Sequence, residues 1–128
     1  MYDKSIDAKW QKVWEDKKAF HAVTGGDKEK FYALIEFPYP SGAGLHVGHI
    51  RAFMGMEVLS RKKRMEGKNV LFPIGFDAFG LPTENYAMKN NIHPRIVTDN
   101  NIAIFTKQLK SVGYSFDWDI VIDTTDPK

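Results

Sequence analysis

Two histidines in the middle of the chain carry its clearest chemical signal. His46 and His49 stand three residues apart, with Gly44 and Gly48 beside them. At the start of a helix this spacing places both rings on one side, where backbone N–H groups and the helix dipole favour an anion. The rings could then donate hydrogen bonds to a phosphate and stabilise charge that develops on a phosphoryl group. The glycines would let a nucleotide approach the backbone, so the pattern predicts a nucleotide site.

Two other interpretations of the histidine pair stay open at this point. A metal site needs further ligands, but residues 37–56 contain no cysteine, no acidic residue and no third histidine. The pair alone is equally compatible with two hydrogen-bonded histidines that only stabilise the fold. The segments on either side of the pair therefore decide how it is interpreted.

The elements around the histidines predict a βαβ unit. A short apolar run at 31–36 reads as a strand that ends in a proline-rich loop, helical spacing of apolar residues follows over 49–65, and a second buried strand is expected at 69–72. A strand, a helix and a strand in this order give two parallel strands. The histidines then lie at the carboxyl end of the first strand, where open α/β sheets bind ligands.

Further elements flank this unit. Helices are predicted from Ser5, as the N-cap, to about residue 19, over 81–89, and over 96–112 with Gly113 as the terminator, and a last short strand falls within 116–122. We therefore expect an α/β fold over residues 1–128 as one domain, with helices around an incomplete parallel sheet. Two or three strands leave a sheet edge unpaired.

Composition narrows the class of protein. The 128 residues include no cysteine, which excludes a disulfide scaffold, a zinc finger and a thiol nucleophile and fits a reducing compartment. No segment approaches the roughly 18 apolar residues of a membrane span, and no export signal is visible at the start. The expected location is the cytoplasm.

Charge gives little further guidance. The 18 basic and 16 acidic residues nearly balance, so overall charge does not point to nucleic acid. The densest basic cluster, at 61–64, is predicted to be a solvated helix end, with contact to a polyanion as the alternative.

Two longer phrases identify a resemblance. Residues 46–49 match the HxGH motif (the HIGH motif) of class I aminoacyl-tRNA synthetases, and the preceding FPYPSG at 37–42 is similar to the leucyl members of that family. Residues 75–84 resemble the leucyl phrase GxDAFGLPxE, and Phe79 stands where isoleucyl and valyl members carry histidine. The likeness spans nearly the whole chain.

The resemblance implies a fold, an activity and partners. The chain would be the amino-terminal portion of the catalytic domain, the first βαβ half of a Rossmann-like nucleotide-binding domain, without the KMSKS loop, the editing domain and the anticodon-binding domain. The activity would be leucine–tRNA ligation, in which ATP, accompanied by Mg²⁺, activates leucine to leucyl-adenylate before transfer to tRNA(Leu). Leucine, ATP and tRNA(Leu) would be the partners, and no protein residue is expected to bind a metal.

For ATP, the resemblance implies that His46 and His49 are the catalytic residues and hold the phosphates, while Gly44 and Gly48 lie beneath the adenosine. The two glycines and the two histidines would thus form one ATP-binding segment.

For leucine, the resemblance implies that Phe37 and Tyr39 line the side-chain pocket and that Asp77 accepts hydrogen bonds from the ammonium group. Simpler roles stay open for all three. Asp77 could cap a turn or helix, and the two aromatics could be core residues.

The chain also departs from the leucyl pattern. Leucyl members often carry a Tyr-Thr pair and then an aspartate after the motif, where this chain has Phe53, Met54 and Glu57, and Glu36 replaces a common methionine. These differences keep one alternative open, namely a divergent paralogue or binding module that retains the ATP and amino-acid crevice without catalysis.

Overall fold

The computed structural model describes residues 3–40 and 44–127. Within these ranges the helices are α1 (Ser5–Asp16), α2 (Val47–Met65), α3 (Leu81–Asn90) and α4 (Pro94–Val112), and the strands are β1 (Lys30–Tyr32), β2 (Asn69–Leu71), β3 (Ile74–Phe76) and β4 (Val121–Asp123). None of these helices combines the length and the apolar character that crossing a membrane requires.

The segment 69–77, which contains β2 and β3, is hydrogen-bonded on both sides. β1 pairs with β2 and β3 pairs with β4, in both cases in parallel. Beyond these pairs, the Asp77 N–H donates to the Pro38 carbonyl at 3.1 Å, and the Asp117 N–H donates to the Phe72 carbonyl at 2.8 Å. The segment 69–77 is therefore the middle strand, and the predicted α/β class with a parallel βαβ unit is confirmed.

The strands are shorter and more numerous than the sequence predicts. Pro73 separates β2 from β3 because it has no N–H to contribute to the ladder. For the same reason the first strand is regular only to Tyr32 instead of residue 36, although the Ala33 N–H still donates to the Leu71 carbonyl at 2.8 Å. β3 was not predicted, and β4 overlaps only the last two residues of the expected range and extends one residue beyond it.

Three helix starts also differ from the prediction, and the first of these differences is that α2 begins at Val47 instead of residue 49. Ser5 was expected to cap α1, but it is the first helical residue, and its N–H donates to the Asp3 carboxylate at 2.9 Å. α4 begins at Pro94 instead of residue 96, because the His93 side chain accepts the Arg95 N–H at 3.1 Å and caps the helix. Gly113 ends α4 with φ of +81°, as predicted.

The core is a cluster of aromatic rings. Phe72 and Phe116, on neighbouring extended segments, have ring centroids 4.6 Å apart, and Phe53 of α2 meets Phe116 edge to face. Phe105 of α4 is buried against Phe76 of β3. By contrast, α1 has no buried residue, so the structural centre of the chain lies between the middle strand, α2 and α4.

The prediction that residues 61–64 form a solvated end of α2 is wrong for the two arginines of this cluster. Arg61 bonds to the Glu57 carboxylate and to the Gly113 carbonyl, the latter at 2.8 Å. Arg64 bonds to the side chain and carbonyl of Ser115 at 2.7 and 3.0 Å. Buried Glu57 also accepts the N–H and the hydroxyl of Ser115, each at 2.8 Å. These cations therefore join α2 to residues 113–115, whereas Lys62 remains exposed.

Replacing Glu57 should weaken the fold. Glu57→Ala leaves the Arg61 guanidinium and the Ser115 N–H without their acceptor, so we expect the free energy of unfolding to fall by about 2–4 kcal/mol. Urea denaturation of the chain measures this, with the exposed Glu66→Ala as the matched control. A loss no larger than that of the control would show that the buried carboxylate does not stabilise the fold.

Candidate nucleotide and amino acid site

The two motif histidines cap α2 reciprocally. His46 has extended backbone just before the helix, and its Nδ1 accepts the Gly48 N–H at 3.1 Å. The His49 Nδ1 in turn accepts the His46 N–H at 3.2 Å. The rings are stacked, with centroids 3.8 Å apart and planes inclined by 25°. The backbone donors at the start of α2 therefore fix both rings.

This cap selects one tautomer of each histidine. An imidazole nitrogen that accepts a hydrogen bond carries no proton, so each neutral ring must be protonated at Nε2. The structure thus keeps two Nε2–H donors side by side at a helix N-terminus, where an anion is favoured. The fold-stabilising and the phosphate-binding interpretations of the pair are compatible, because they use different nitrogens of the same rings.

His49 is held in its neutral form. Partial burial is the largest cause that lowers the pKa of His49, and the neighbouring His46 lowers it further. The carboxylate of Glu36 acts in the opposite direction and raises the pKa. The ring also lies near Phe53 and Phe105, at centroid distances of 6.0 and 6.3 Å. At neutral pH, His49 is therefore a hydrogen-bond donor without charge.

Local structure explains why glycine occupies positions 44 and 48. Gly44 has φ of +131°, which strongly favours glycine, and a Cβ there would collide with the Gln108 side chain. A Cβ on Gly48 would come within 2.9 Å of the His46 ring and disturb the cap. Their role beneath an adenosine stays a prediction.

Two residues of α4 that the sequence analysis missed hold the loop before α2. The Gln108 Oε1 accepts the Leu45 N–H at 2.8 Å, and the Asn101 Nδ2 donates to the Pro40 carbonyl at 2.8 Å. Gln108 and Asn101 are seven residues apart and so share one face of α4. No local pattern marks them, because their partners are more than 60 positions away. Ser41 and Gly42 of the predicted FPYPSG phrase lie outside the described residues.

The three predicted leucine-binding residues come together at the end of the middle strand. The Asp77 N–H donates to the Pro38 carbonyl, which places Asp77 beside the segment that holds Phe37 and Tyr39. The Phe37 ring covers the backbone of Gly75, where a Cβ would collide with it. Phe37 and Tyr39 are partly buried, whereas Asp77 is exposed.

The carboxylate of Asp77 is free for a ligand. Among residues 3–40 and 44–127 it makes no hydrogen bond or ion pair, and Gly80, which precedes α3, lacks a side-chain cap. The alternative in which Asp77 caps a turn or helix therefore has no support within the described structure.

Aromatic contacts connect the histidines to Asp77. His49 meets Phe105 at 6.3 Å, Phe105 meets Phe76 at 6.5 Å, and Phe76 directly precedes Asp77. The predicted phosphate-binding and leucine-binding groups thus rest on the same core. The arrangement offers the Nε2 atoms of two imidazole rings for a phosphate and, at the strand end, one carboxylate for a cation.

The electrostatic environment of His49 can be measured by NMR titration of the chain. We expect His49 to titrate below the ordinary histidine value, because burial and His46 disfavour its charged form. His46→Asn, which keeps a capping acceptor, should raise the His49 pKa, and Glu36→Gln should lower it further.

The same shift sets the sign of a pH effect on stability. The unfolded chain binds the His49 proton more readily, so the contribution of His49 is fully present above the ordinary histidine pKa and is lost as pH falls towards the folded value. If His46→Asn and Glu36→Gln both leave the pKa of His49 unchanged in the NMR titration, His46 and Glu36 are not causes of its shift.

Comparison with known proteins identifies the family. The model for tRNA synthetases class I (I, L, M and V) matches residues 9–116. The chain is similar to the leucine–tRNA ligase of Alkaliphilus oremlandii (63% identity over 125 residues, 98% of this chain and 16% of the relative). It is also similar to the leucine–tRNA ligase of Leptospira biflexa (54% over 122 residues, 95% of this chain and 14% of the relative). The chain therefore spans about one sixth of the length of these relatives.

Two solved structures share the fold. The ternary complex of Agrobacterium radiobacter K84 agnB2 LeuRS with tRNA and LeuAMS aligns with a TM-score of 0.91 and 38% identity, over 99% of this chain and 16% of that one. Mycobacterium tuberculosis methionyl-tRNA synthetase in complex with methionyl-adenylate aligns with a TM-score of 0.69 and 27% identity, over 77% of this chain and 19% of that one. The resemblance carried by the HxGH motif is thus confirmed, and the chain belongs to the class I tRNA synthetases (I, L, M and V).

Proposed function

We propose that the chain is part of a leucine–tRNA ligase, which uses ATP to activate leucine and then transfers it to tRNA(Leu). The observation that carries this proposal is the reciprocal cap of His46 and His49, which leaves two Nε2–H donors at the start of α2. Support for leucine comes from the similarity to two leucine–tRNA ligases, the nearer at 63% identity. The A. radiobacter relative, solved with tRNA and LeuAMS, supports tRNA as the second partner.

On the ATP side, His46 and His49 would bind the phosphates while Gly44 and Gly48 lie beneath the adenosine. The leucine carboxylate attacks the α-phosphorus, a carboxyl-oxygen–phosphorus bond forms, and pyrophosphate leaves with its bridging oxygen. Fixed N–H donors stabilise the charge that builds on the phosphoryl oxygens without having to reorganise. ATP would bring Mg²⁺, which neutralises phosphate charge, and we assign no residue of the chain as a ligand of that ion.

On the leucine side, Asp77 would accept the ammonium group, since its carboxylate is exposed and has no partner in the described structure. Phe37 and Tyr39 would contact the side chain. This arrangement orients the carboxylate of leucine towards ATP, because the ammonium and the side chain are both fixed. We place the activity in the cytoplasm, in keeping with a chain that has no cysteine.

Two of the departures from the leucyl pattern do not favour a non-catalytic paralogue. Phe53 is a core residue, and Glu57 is the buried partner of Arg61 and Ser115. Both changes are accommodated by packing on the inner side of α2, whereas the Nε2 donors of the histidines are untouched. The changes at Phe53 and Glu57 therefore give no reason to expect loss of catalysis.

Replacing His49 tests the catalytic assignment. The assay is leucine-dependent exchange of labelled pyrophosphate into ATP, in a chimeric enzyme where this chain replaces the matching segment of the A. oremlandii ligase. His49→Ala should lower the exchange rate by about ten- to a thousandfold, the loss expected for a preorganised donor to developing charge, and should change the leucine KM far less. His93→Ala is the matched control, since His93 also caps a helix. Equal rates in both variants would exclude His49 as a catalytic residue.

Asp77→Ala should act on the other substrate. An ion pair to the ammonium exists in the ground state as well as in the transition state, so the leucine KM should rise at least about tenfold while the ATP KM stays within about threefold. Steady-state kinetics of the chimeric enzyme with each substrate varied separate these effects, with the exposed Asp16→Ala as control. A comparable rise in both KM values would show that Asp77 supports the fold and does not bind leucine.

A further inference from the structure

The hydroxyl of Tyr39 is bonded within the protein. It accepts the Thr83 N–H at 3.3 Å and shares a second hydrogen bond with the Thr83 Oγ1 at 3.0 Å. Thr83 lies in the first turn of α3 and is 5% exposed. A phenol that accepts one hydrogen bond and shares another has little capacity left for a substrate. Tyr39 therefore offers a ligand its ring, held in one orientation by α3.

Gly80 fixes the position of that ring. A Cβ on Gly80 would overlap the Tyr39 phenol, so the ring lies directly on the Gly80 backbone. Gly80 has an extended backbone that any residue can adopt, and glycine is needed there only for space. Gly80 stands midway between Asp77 and Thr83, so these contacts lie on one short segment that follows the middle strand.

Three contacts thus join residues 37–39 to residues 75–83. Phe37 covers Gly75, the Pro38 carbonyl accepts the Asp77 N–H at 3.1 Å, and Tyr39 is bonded to Thr83. The last two contacts together fix where the Tyr39 ring lies relative to the backbone of Asp77. Amino acids with different side chains differ in the distance from the ammonium group to the end of the side chain.

We propose that Thr83 is a positioning residue that sets amino-acid specificity by holding the Tyr39 ring at a fixed distance from Asp77. The proposal rests on the proposed function, in which Asp77 binds the ammonium and Tyr39 contacts the side chain. A Tyr39 ring that is held at one distance from Asp77 leaves a pocket of fixed depth, which accepts leucine. An isomer with a different branch point is rejected, because it must either displace the ring or leave a cavity beside it. Thr83 itself touches no substrate.

A double-mutant cycle in the chimeric enzyme tests this. Thr83→Val removes the Oγ1 contact with little change of shape, whereas Tyr39→Phe removes this contact together with the hydrogen bond from the Thr83 N–H. Thr83→Val should raise the leucine KM about fivefold, the factor that corresponds to one net hydrogen bond, and Tyr39→Phe at least as much, with kcat and the ATP KM within about twofold in both. The double variant should be no worse than Tyr39→Phe, since that variant already lacks both contacts.

Specificity and rescue provide the readouts that a merely structural role would not move. The kcat/KM for isoleucine relative to leucine should rise at least about threefold in Thr83→Val. Thr83→Ser keeps the hydroxyl and should restore both the leucine KM and the ratio. Thr98→Val is the matched control, because Thr98 is buried in α4 and lies outside the three contacts.

Each remaining outcome overturns a defined statement. If the unmodified chimeric enzyme exchanges pyrophosphate but Thr83→Val changes neither the leucine KM nor the isoleucine ratio, the positioning role is wrong. If the effects of Tyr39→Phe and Thr83→Val multiply in the double variant, the Tyr39 hydroxyl acts on the substrate directly and the role of Thr83 is again wrong. If the unmodified enzyme shows no leucine-dependent exchange, the proposed function fails, and the inference that rests on it fails too.

Discussion

The hydrogen bonding of segment 69–77 on both of its sides is the constraint on which the rest of the structure depends. Its carbonyls and N–H groups engage residues 30–38 on one side and residues 117–124 on the other. Because the pairs are parallel, the carboxyl ends of the strands lie at the same end of the sheet. Backbone pairing is therefore sufficient to place Asp77 beside Phe37 and Tyr39, without any side-chain contact. Pro73 interrupts the ladder without breaking it, since bonds continue on either side of the proline.

The start of α2 uses one pair of side chains for two purposes. The first N–H groups of a helix have no partners within the helix, and serine, threonine or aspartate usually supply acceptors. Here imidazole Nδ1 atoms supply them, and an imidazole has a second nitrogen that a hydroxyl or carboxylate lacks. The same cap that completes the helix thereby leaves a donor on each ring. Protonation of His49 at Nδ1 would remove the acceptor for the His46 N–H, so the lowered pKa of His49 and the integrity of the cap favour the same neutral state.

Local pattern predicted the parts of this structure that depend on local geometry. Apolar runs and helical spacing predicted the βαβ unit, Gly113 predicted the end of α4, and the histidine motif was correctly placed at the start of a helix, although its capping role was not predicted. β3 was missed because three residues after a proline are too short a run to show periodicity. The basic cluster at 61–64 was misinterpreted because Arg61 and Arg64 bond to partners more than 50 positions away. Charge density in a sequence says nothing about such partners.

The residues that sequence reasoning missed in the site share one property. Gln108, Asn101 and Thr83 bond to residues 44 to 63 positions away, and each contacts the segment between β1 and α2. That segment is rich in proline and glycine and forms no strand or helix of its own over residues 33–40, so its position depends on such contacts. α3 holds it near Asp77 through Thr83, and α4 holds it near the histidines through Gln108 and Asn101. The segment between β1 and α2, the first turn of α2 and the end of the middle strand supply the chemical groups, and the two later helices hold that segment in place. Substitutions in α3 or α4 can therefore alter the site without touching a substrate, and sequence motifs around the histidines alone cannot report whether the site is correctly assembled.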